Sequence, residues 1–177
     1  MISPCLMPTP RPLTNTELND ILRQLYKTAL KHNPIMGRVF RFQYDTGCRF
    51  NELLYLQEWE LDPQTKVLKF FAKKNKRWRY LPYKRLSTLS KETLEFNLID
   101  LHGITYVRAN RYMQQLLSSK PLTLQQKYLF THAFRHNYAR KLYDKGRTVE
   151  QVKDDLGISS IDVARGYLFS TIMQVQF

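Results

Sequence analysis

A chain of 177 residues, 43% of them apolar, is long enough to bury one real core and too apolar to be disordered. No apolar run approaches the length of a membrane span, the proline-rich start does not read as a signal peptide, and two thiols, Cys5 and Cys48, make no disulfide framework. Twenty-eight Lys and Arg against fifteen Asp and Glu leave a net charge of +13, which points to a polyanion as partner.

Residues 1–12 read as a flexible lead, and 13–177 as one domain. "LTNTEL" opens a first helix, with Thr14 as N-cap and Glu17 closing a capping box. Leu18, Ile21, Leu22, Leu25 and Leu30 mark its apolar face. Pro34 breaks the chain, and a second helix is expected from Ile35 to Tyr44, ended by Asp45-Thr46-Gly47. A short helix over Asn51–Leu56 follows. "EWEL" alternates, "DPQT" turns, and "KVLKFFA" and "RWRYLP" read as strands joined by the polar turn "KKNK". Helical patterns resume at Ser90–Asn97, Tyr106–Ser118, Ala133–Asp144 and Thr148–Leu156, with Gly146 and Gly157 placed as C′ glycines. The expected fold is mainly α with a small antiparallel β-sheet, an α+β domain carrying one basic hairpin near residues 66–82.

The positive charge is clustered. Residues 66–85 hold nine basic residues and no acid, residues 103–147 hold nine against Asp144 alone, and residues 148–177 are net acidic. Such a footprint suits a nucleic-acid face. No basic helix with a broad apolar face suggests a membrane instead.

Three stretches raise chemical questions. In "DTGCRFNELLYL" Arg49 opens a helical segment, the wrong end of a helix dipole for a cation. A carboxylate, an anionic ligand or solvent must hold it. In "THAFRHNYARKL" His132 and His136 share a helix face. That spacing fits two metal ligands, but no glutamate follows the first His and no third ligand is evident. The other readings are a basic amphipathic helix and a phosphate site built on His132 and Arg135. In "DDLGISSIDVARGYLFS" Tyr167 is a packing residue or part of a helix-turn-helix reader, and neither reading explains Arg49 or the spacing of His132 and Arg135.

Together these stretches resemble the catalytic domain of the tyrosine recombinases, the phage integrase family. The resemblance rests on "TGCRFNELLYL" with Arg49 and Glu52, on the hairpin "KKNKRWRYLP", on "HAFRH" with His132, Arg135 and His136, and on "LGISSIDVARGY" ending at Tyr167, all in the family's order. It implies a site-specific recombinase of the integrase or invertase type that cuts and rejoins DNA strands through a 3′-phosphotyrosyl link. Neither metal, ATP nor other cofactor is then required.

Tyr167 would be the nucleophile. Arg49 and Arg135 would bind the scissile phosphate, their planar forks matching its oxygens. His132 would exchange the tyrosine proton or bond a phosphate oxygen. Lys74, with Lys73 and Lys76 as rivals, would protonate the leaving 5′ oxygen. Glu52 would orient Arg49, and His136 would pack beneath the site. Lys73, Lys76, Arg77 and Arg79 read as DNA-backbone contacts, while Trp78 and Tyr80 read as hairpin packing. Ile158 departs from the family, where a His or Trp donor is common. The implied partners are double-stranded DNA and further copies of the chain, a tetramer on paired sites held by the tail 168–177. The implied setting is the cytoplasm of a bacterial, archaeal or virus-infected cell. Relatives usually carry a separate core-binding domain before the first helix; with only a dozen residues there, this chain is expected to be either an isolated catalytic domain or a minimal member without one. The competing functions are a recombinase-like DNA binder that does not cut, and a type IB topoisomerase.

Overall fold

The computed structural model of the protein describes residues 13–72, 76–101, 103–119 and 129–170. The expected lead over 1–12, the hairpin tip with Lys73 and Lys74, and the tail beyond residue 170 lie outside them.

The capping box at the start is formed. Thr14 Oγ1 accepts from the Glu17 N–H at 3.1 Å and Glu17 Oε1 accepts from the Thr14 N–H at 3.2 Å, launching α1 (Asn15–His32). Asn33 caps α2 (Pro34–Thr46), so Pro34 is the first residue of that helix rather than the end of order before it. The two helices touch at Gly37, where a Cβ would stand 2.6 Å from the Leu30 backbone.

The segment expected as a short α-helix is a 3-10 helix, Phe50–Glu58, interrupted at Tyr55. It leads into a three-stranded antiparallel sheet in the order β1 (Glu60–Leu61), β2 (Val67–Ala72), β3 (Arg77–Pro82). Val67 pairs with Pro82 and Ala72 with Arg77. Trp59 stacks on Phe70 with ring centroids 3.9 Å apart and meets Phe42 edge-on at 5.1 Å, which fixes the sheet to α2.

The remaining helices are α3 (Thr88–Glu95), α4 (Tyr106–Ser118), α5 (Ala133–Asp144), α6 (Val149–Asp155) and α7 (Ile161–Phe169). α3 starts two residues before its expected position because Ser87 caps it, the Ser87 hydroxyl accepting from the Ser90 N–H. Leu18, Leu22 and Leu25 of α1, Phe40 of α2, Met113 of α4 and Phe134 of α5 form the buried centre. The core thus sits between α1, α2, α4 and α5. No helix among the described residues is long and apolar enough to cross a membrane.

Candidate active site

The site grows from a turn. Gly47 ends α2 at φ +64°, and the Tyr138 ring fills the place a Cβ would need, 2.6 Å away. The chain re-emerges at Arg49. Its N–H donates to Glu52 Oε2 at 2.8 Å and its guanidinium Nη1 donates to Glu52 Oε1 at 3.3 Å. One carboxylate therefore caps the first turn and holds the cation that the dipole disfavours there. The question raised by Arg49 is answered locally, and its guanidinium still lines an open cleft.

Two buried arginines fasten the scaffold behind it. Arg135 donates from Nη1 to Gly47 O and from Nη2 to Leu156 O, both at 2.8 Å. Arg79 donates from Nη2 to Thr46 O and from Nε to Asp155 O, the latter at 2.5 Å. The pair bridges successive carbonyls, 46 and 47 on one turn and 155 and 156 on the other. They lock the turn before Arg49 to the turn before Ile158.

Ser160 caps α7, which carries Tyr167 inward to 7% exposure. Its ring centroid lies 5.2 Å from that of His132 and 4.8 Å from that of His136, with Arg135 Cζ 5.3 Å from the ring. The Tyr167 carbonyl is gripped from α5, since His136 Nδ1 and Arg140 Nε each stand 3.3 Å from it. Arg140 also donates to Ser170 O. The imidazole must be the Nδ1–H tautomer to donate there. Arg49, Tyr106, Thr131, His132, Ile158 and Tyr167 line a common cleft of about 400 Å³.

The family is then decided by the match of the phage integrase family model to residues 11–172. The chain belongs to the phage integrase family. It is 24% identical over 179 residues to the tyrosine recombinase XerC of Lacticaseibacillus casei (strain BL23) and equally to that of Lacticaseibacillus paracasei, covering 88% of this chain and 58% of each relative. It therefore spans little more than half the length of those proteins. In fold it is similar to the XerH site-specific recombinase in its post-cleavage complex with palindromic difH, with TM-score 0.62 and 21% identity over 90% of this chain and 49% of that one. It is also similar to the XerA recombinase, with TM-score 0.58 and 18% identity over 93% of this chain and 61% of that one. The mainly helical α+β fold expected from the sequence is the fold of these recombinases.

Against the integrase pattern, Arg49, His132, Arg135, His136 and Tyr167 converge, with Glu52 behind Arg49. Ile158 is 2% exposed and forms an apolar wall of the cleft, at the place where the family resemblance expects a donor. The hydroxyl of Thr131, on the same wall, is buried with no hydrogen-bond partner among the described residues.

Arg135 departs in one respect from the role the integrase pattern implies. It lies beneath the cleft, 1% exposed, with both terminal nitrogens on carbonyls. Burial lowers its pKa to about 10, which leaves it charged at neutral pH. Its charge thus reaches the cleft as a field, beside the tyrosine ring. Burial, reinforced by Arg140, pushes His136 down to about 4, so this imidazole is neutral and structural. Burial pushes the Cys48 thiol up to about 12, which makes it inert. Among the described residues no three His, Cys, Asp or Glu are grouped to hold a metal ion.

One expectation is corrected. Arg79 is 1% exposed and cannot be a DNA-backbone contact. β3 alternates, so Trp78 and Tyr80 face out at 48% and 55% exposure while Arg79 faces in. Its guanidinium lies near the Phe70 and Tyr138 rings with carbonyls as acceptors. Trp78 meets Phe71 at 5.4 Å, the hairpin packing expected of it. Lys76, at φ 52°, and Arg77 are exposed on the hairpin. Arg140 was not anticipated as a site residue, and the sequence offers no signal for it beyond a cation on the His136 helix.

Proposed function

We propose that the protein is a site-specific DNA recombinase that cleaves and rejoins double-stranded DNA through Tyr167. The observation that carries this reading is the convergence of the Tyr167 ring with His132 and Arg49 on one cleft, backed by the buried charge of Arg135. Its membership of the phage integrase family supports it, as does the likeness to the XerH site-specific recombinase, whose structures hold a difH substrate.

In this mechanism a scissile phosphate enters the cleft beside Arg49. The Tyr167 oxygen attacks phosphorus and its proton passes to His132. The bond from phosphorus to the 5′ oxygen breaks, leaving a 3′-phosphotyrosyl link and a 5′ hydroxyl protonated by the hairpin lysine, Lys74 or a neighbour. A 5′ hydroxyl from a second strand reverses the step. The bond energy stays in the ester, so no nucleotide is consumed. Arg49 and Arg135 offset the charge that builds on the five-coordinate phosphorus.

The reaction needs paired sites, so the active form is a tetramer on DNA, joined by the tail 168–177, in the cytoplasm of a bacterial, archaeal or virus-infected cell. Deleting residues 171–177 is expected to weaken assembly on DNA while leaving single-site binding. Unchanged assembly would remove the tail from the scheme.

Ile158 favours one competing reading, a binder that does not cut, because the cleft lacks a donor there. The test is incubation with DNA from the chain's own genomic surroundings, denaturation in SDS and a search for protein-linked DNA. Adducts with recombinant products support the recombinase. Gel shifts without adducts, even on nicked substrates, support the binder, and relaxation of supercoils without recombinants supports a topoisomerase.

A further inference from the structure

We propose that a second cleft, at the far end of α5, is a binding site for a phosphate group, separate from the Tyr167 cleft. It measures about 360 Å³ and opens between the C-terminal ends of α2 and α5, bordered by Arg147 ahead of α6 and by Arg85 on the 3-10 turn that follows β3. His132 precedes α5 and Lys145 follows it. Thirteen residues at the helical rise place the two ends about 20 Å apart.

Four cations line this cleft: Arg85, Lys141, Lys145 and Arg147. Arg147 is in a loose ion pair with Asp155 at 3.8 Å. Among the described residues, Arg85, Lys141 and Lys145 have no carboxylate within salt-bridge distance. Lys141 is half-buried, its ammonium 4.2 Å from the Tyr44 ring centroid. Burial holds its pKa below that of a free lysine.

The one carboxylate in the cleft wall, Asp45, is already engaged. It accepts from the Ser87 N–H at 3.0 Å, the Ser87 hydroxyl at 2.6 Å and the Ser90 hydroxyl at 2.7 Å, and it pairs with Arg41 at 3.1 Å. Its direct ion pair is with Arg41, and its charge also acts on Lys141, so one engaged carboxylate faces four cations. Tyr138 also lines the cleft, 5% exposed, and its hydroxyl has no hydrogen-bond partner among the described residues. A buried hydroxyl without a partner is costly and calls for an acceptor.

Two guanidinium groups and two ammonium groups line this space, with the Tyr138 hydroxyl buried in its wall. They outnumber the two oxygens and single charge of a carboxylate. They suit a phosphate, with its several acceptor oxygens and greater charge. The source is either a DNA phosphodiester away from the cleavage point or a free phosphate. The two share the chemistry and differ in what the protein must meet.

The test uses the full chain and three variants. Arg85→Gln/Lys145→Gln removes two exposed cations, Tyr138→Phe removes only the hydroxyl, and Lys27→Gln/Lys31→Gln on the exposed face of α1 is a control of equal charge change. Inorganic phosphate and pyrophosphate are titrated by calorimetry, and binding to a DNA duplex is measured over a range of salt.

If the source is free phosphate, the anions bind, about tenfold more weakly to the Arg85/Lys145 variant and several-fold more weakly to Tyr138→Phe, with DNA binding unchanged. If the source is DNA, the slope of log affinity against log salt becomes shallower in the Arg85/Lys145 variant, by about 0.9 for each phosphate that it no longer neutralises. In either case the α1 control matches wild type. Absence of anion binding together with an unaltered salt slope overturns the proposal, as does an equal change in the control. Tyr167→Phe keeps both readouts, so failure of the recombinase reading would leave this site standing, and the reverse.

Discussion

Replacing Arg79 by Met keeps the length of the side chain and removes its charge and donors. Two charge-assisted bonds to Thr46 O and Asp155 O disappear, each worth about 1.5–3 kcal/mol. The Thr46 carbonyl stays buried, and the Asp155 carbonyl part-buried, without that partner. Against this, an arginine no longer has to be desolvated, and removal of a buried charge returns part of the loss. The net destabilisation is about 2–4 kcal/mol, a large share of a domain's stability of about 5–15 kcal/mol. Urea unfolding at neutral pH measures it. Gel shifts below the transition, at several salt concentrations, measure DNA affinity per folded molecule. The structure requires a lower unfolding midpoint with DNA affinity within about twofold of wild type and an unaltered salt slope. An unchanged midpoint with weaker binding and a salt slope reduced by about 0.9 would return Arg79 to the DNA backbone and refute the argument from strand alternation.

Gly47→Ala puts a side chain at φ +64° and against the Tyr138 ring, and should cost about 2–4 kcal/mol from backbone strain and overpacking together, read by urea melts. A loss below about 0.5 kcal/mol would mean the turn relaxes freely. His136 has a folded pKa of about 4 against 6.5 unfolded, so the unfolded chain binds its proton first as pH falls. Its contribution is complete above pH 6.5 and lost on acidification towards pH 4, about 3 kcal/mol in all. His136→Asn should flatten the fall in stability between pH 6.5 and 4, and an equally steep fall in the variant would place the proton uptake elsewhere.

The helices were legible where capping chemistry and apolar spacing agree. Thr14 with Glu17 forms the box expected of it, and the start of α1 follows. Legibility ended where long-range contacts choose. The segment after Arg49 becomes a 3-10 helix, bounded by the Glu52 cap and by the Trp59 stack on a strand that follows it in sequence. Of the candidate site, Arg49, Glu52, His132, Arg135, His136 and Tyr167 could be named from motif order. Their division of labour could not. That Arg135 and Arg79 bind carbonyls 46, 47, 155 and 156 depends on two turns meeting from opposite ends of the chain, which no local pattern records. Reading Arg79 with its basic neighbours hid its place on the inward face with Leu81, two residues further into the sheet than Arg77, which shares that face but stays exposed at the strand end. Arg140 was invisible for a related reason, because its acceptors, Tyr167 O and Ser170 O, come from a different helix and its cap.

The central claim is that Tyr167 is the nucleophile, and it can be tested on the covalent product itself. Wild type and Tyr167→Phe would be incubated with a nicked DNA substrate that traps the intermediate, denatured and digested, and the DNA-linked peptide identified by mass spectrometry. The structure predicts a single nucleotide-bearing peptide containing Tyr167, joined to a 3′ phosphate, and no adduct from the phenylalanine variant, which should still shift DNA in a gel. An adduct that persists in Tyr167→Phe, or maps to another tyrosine, would contradict the account.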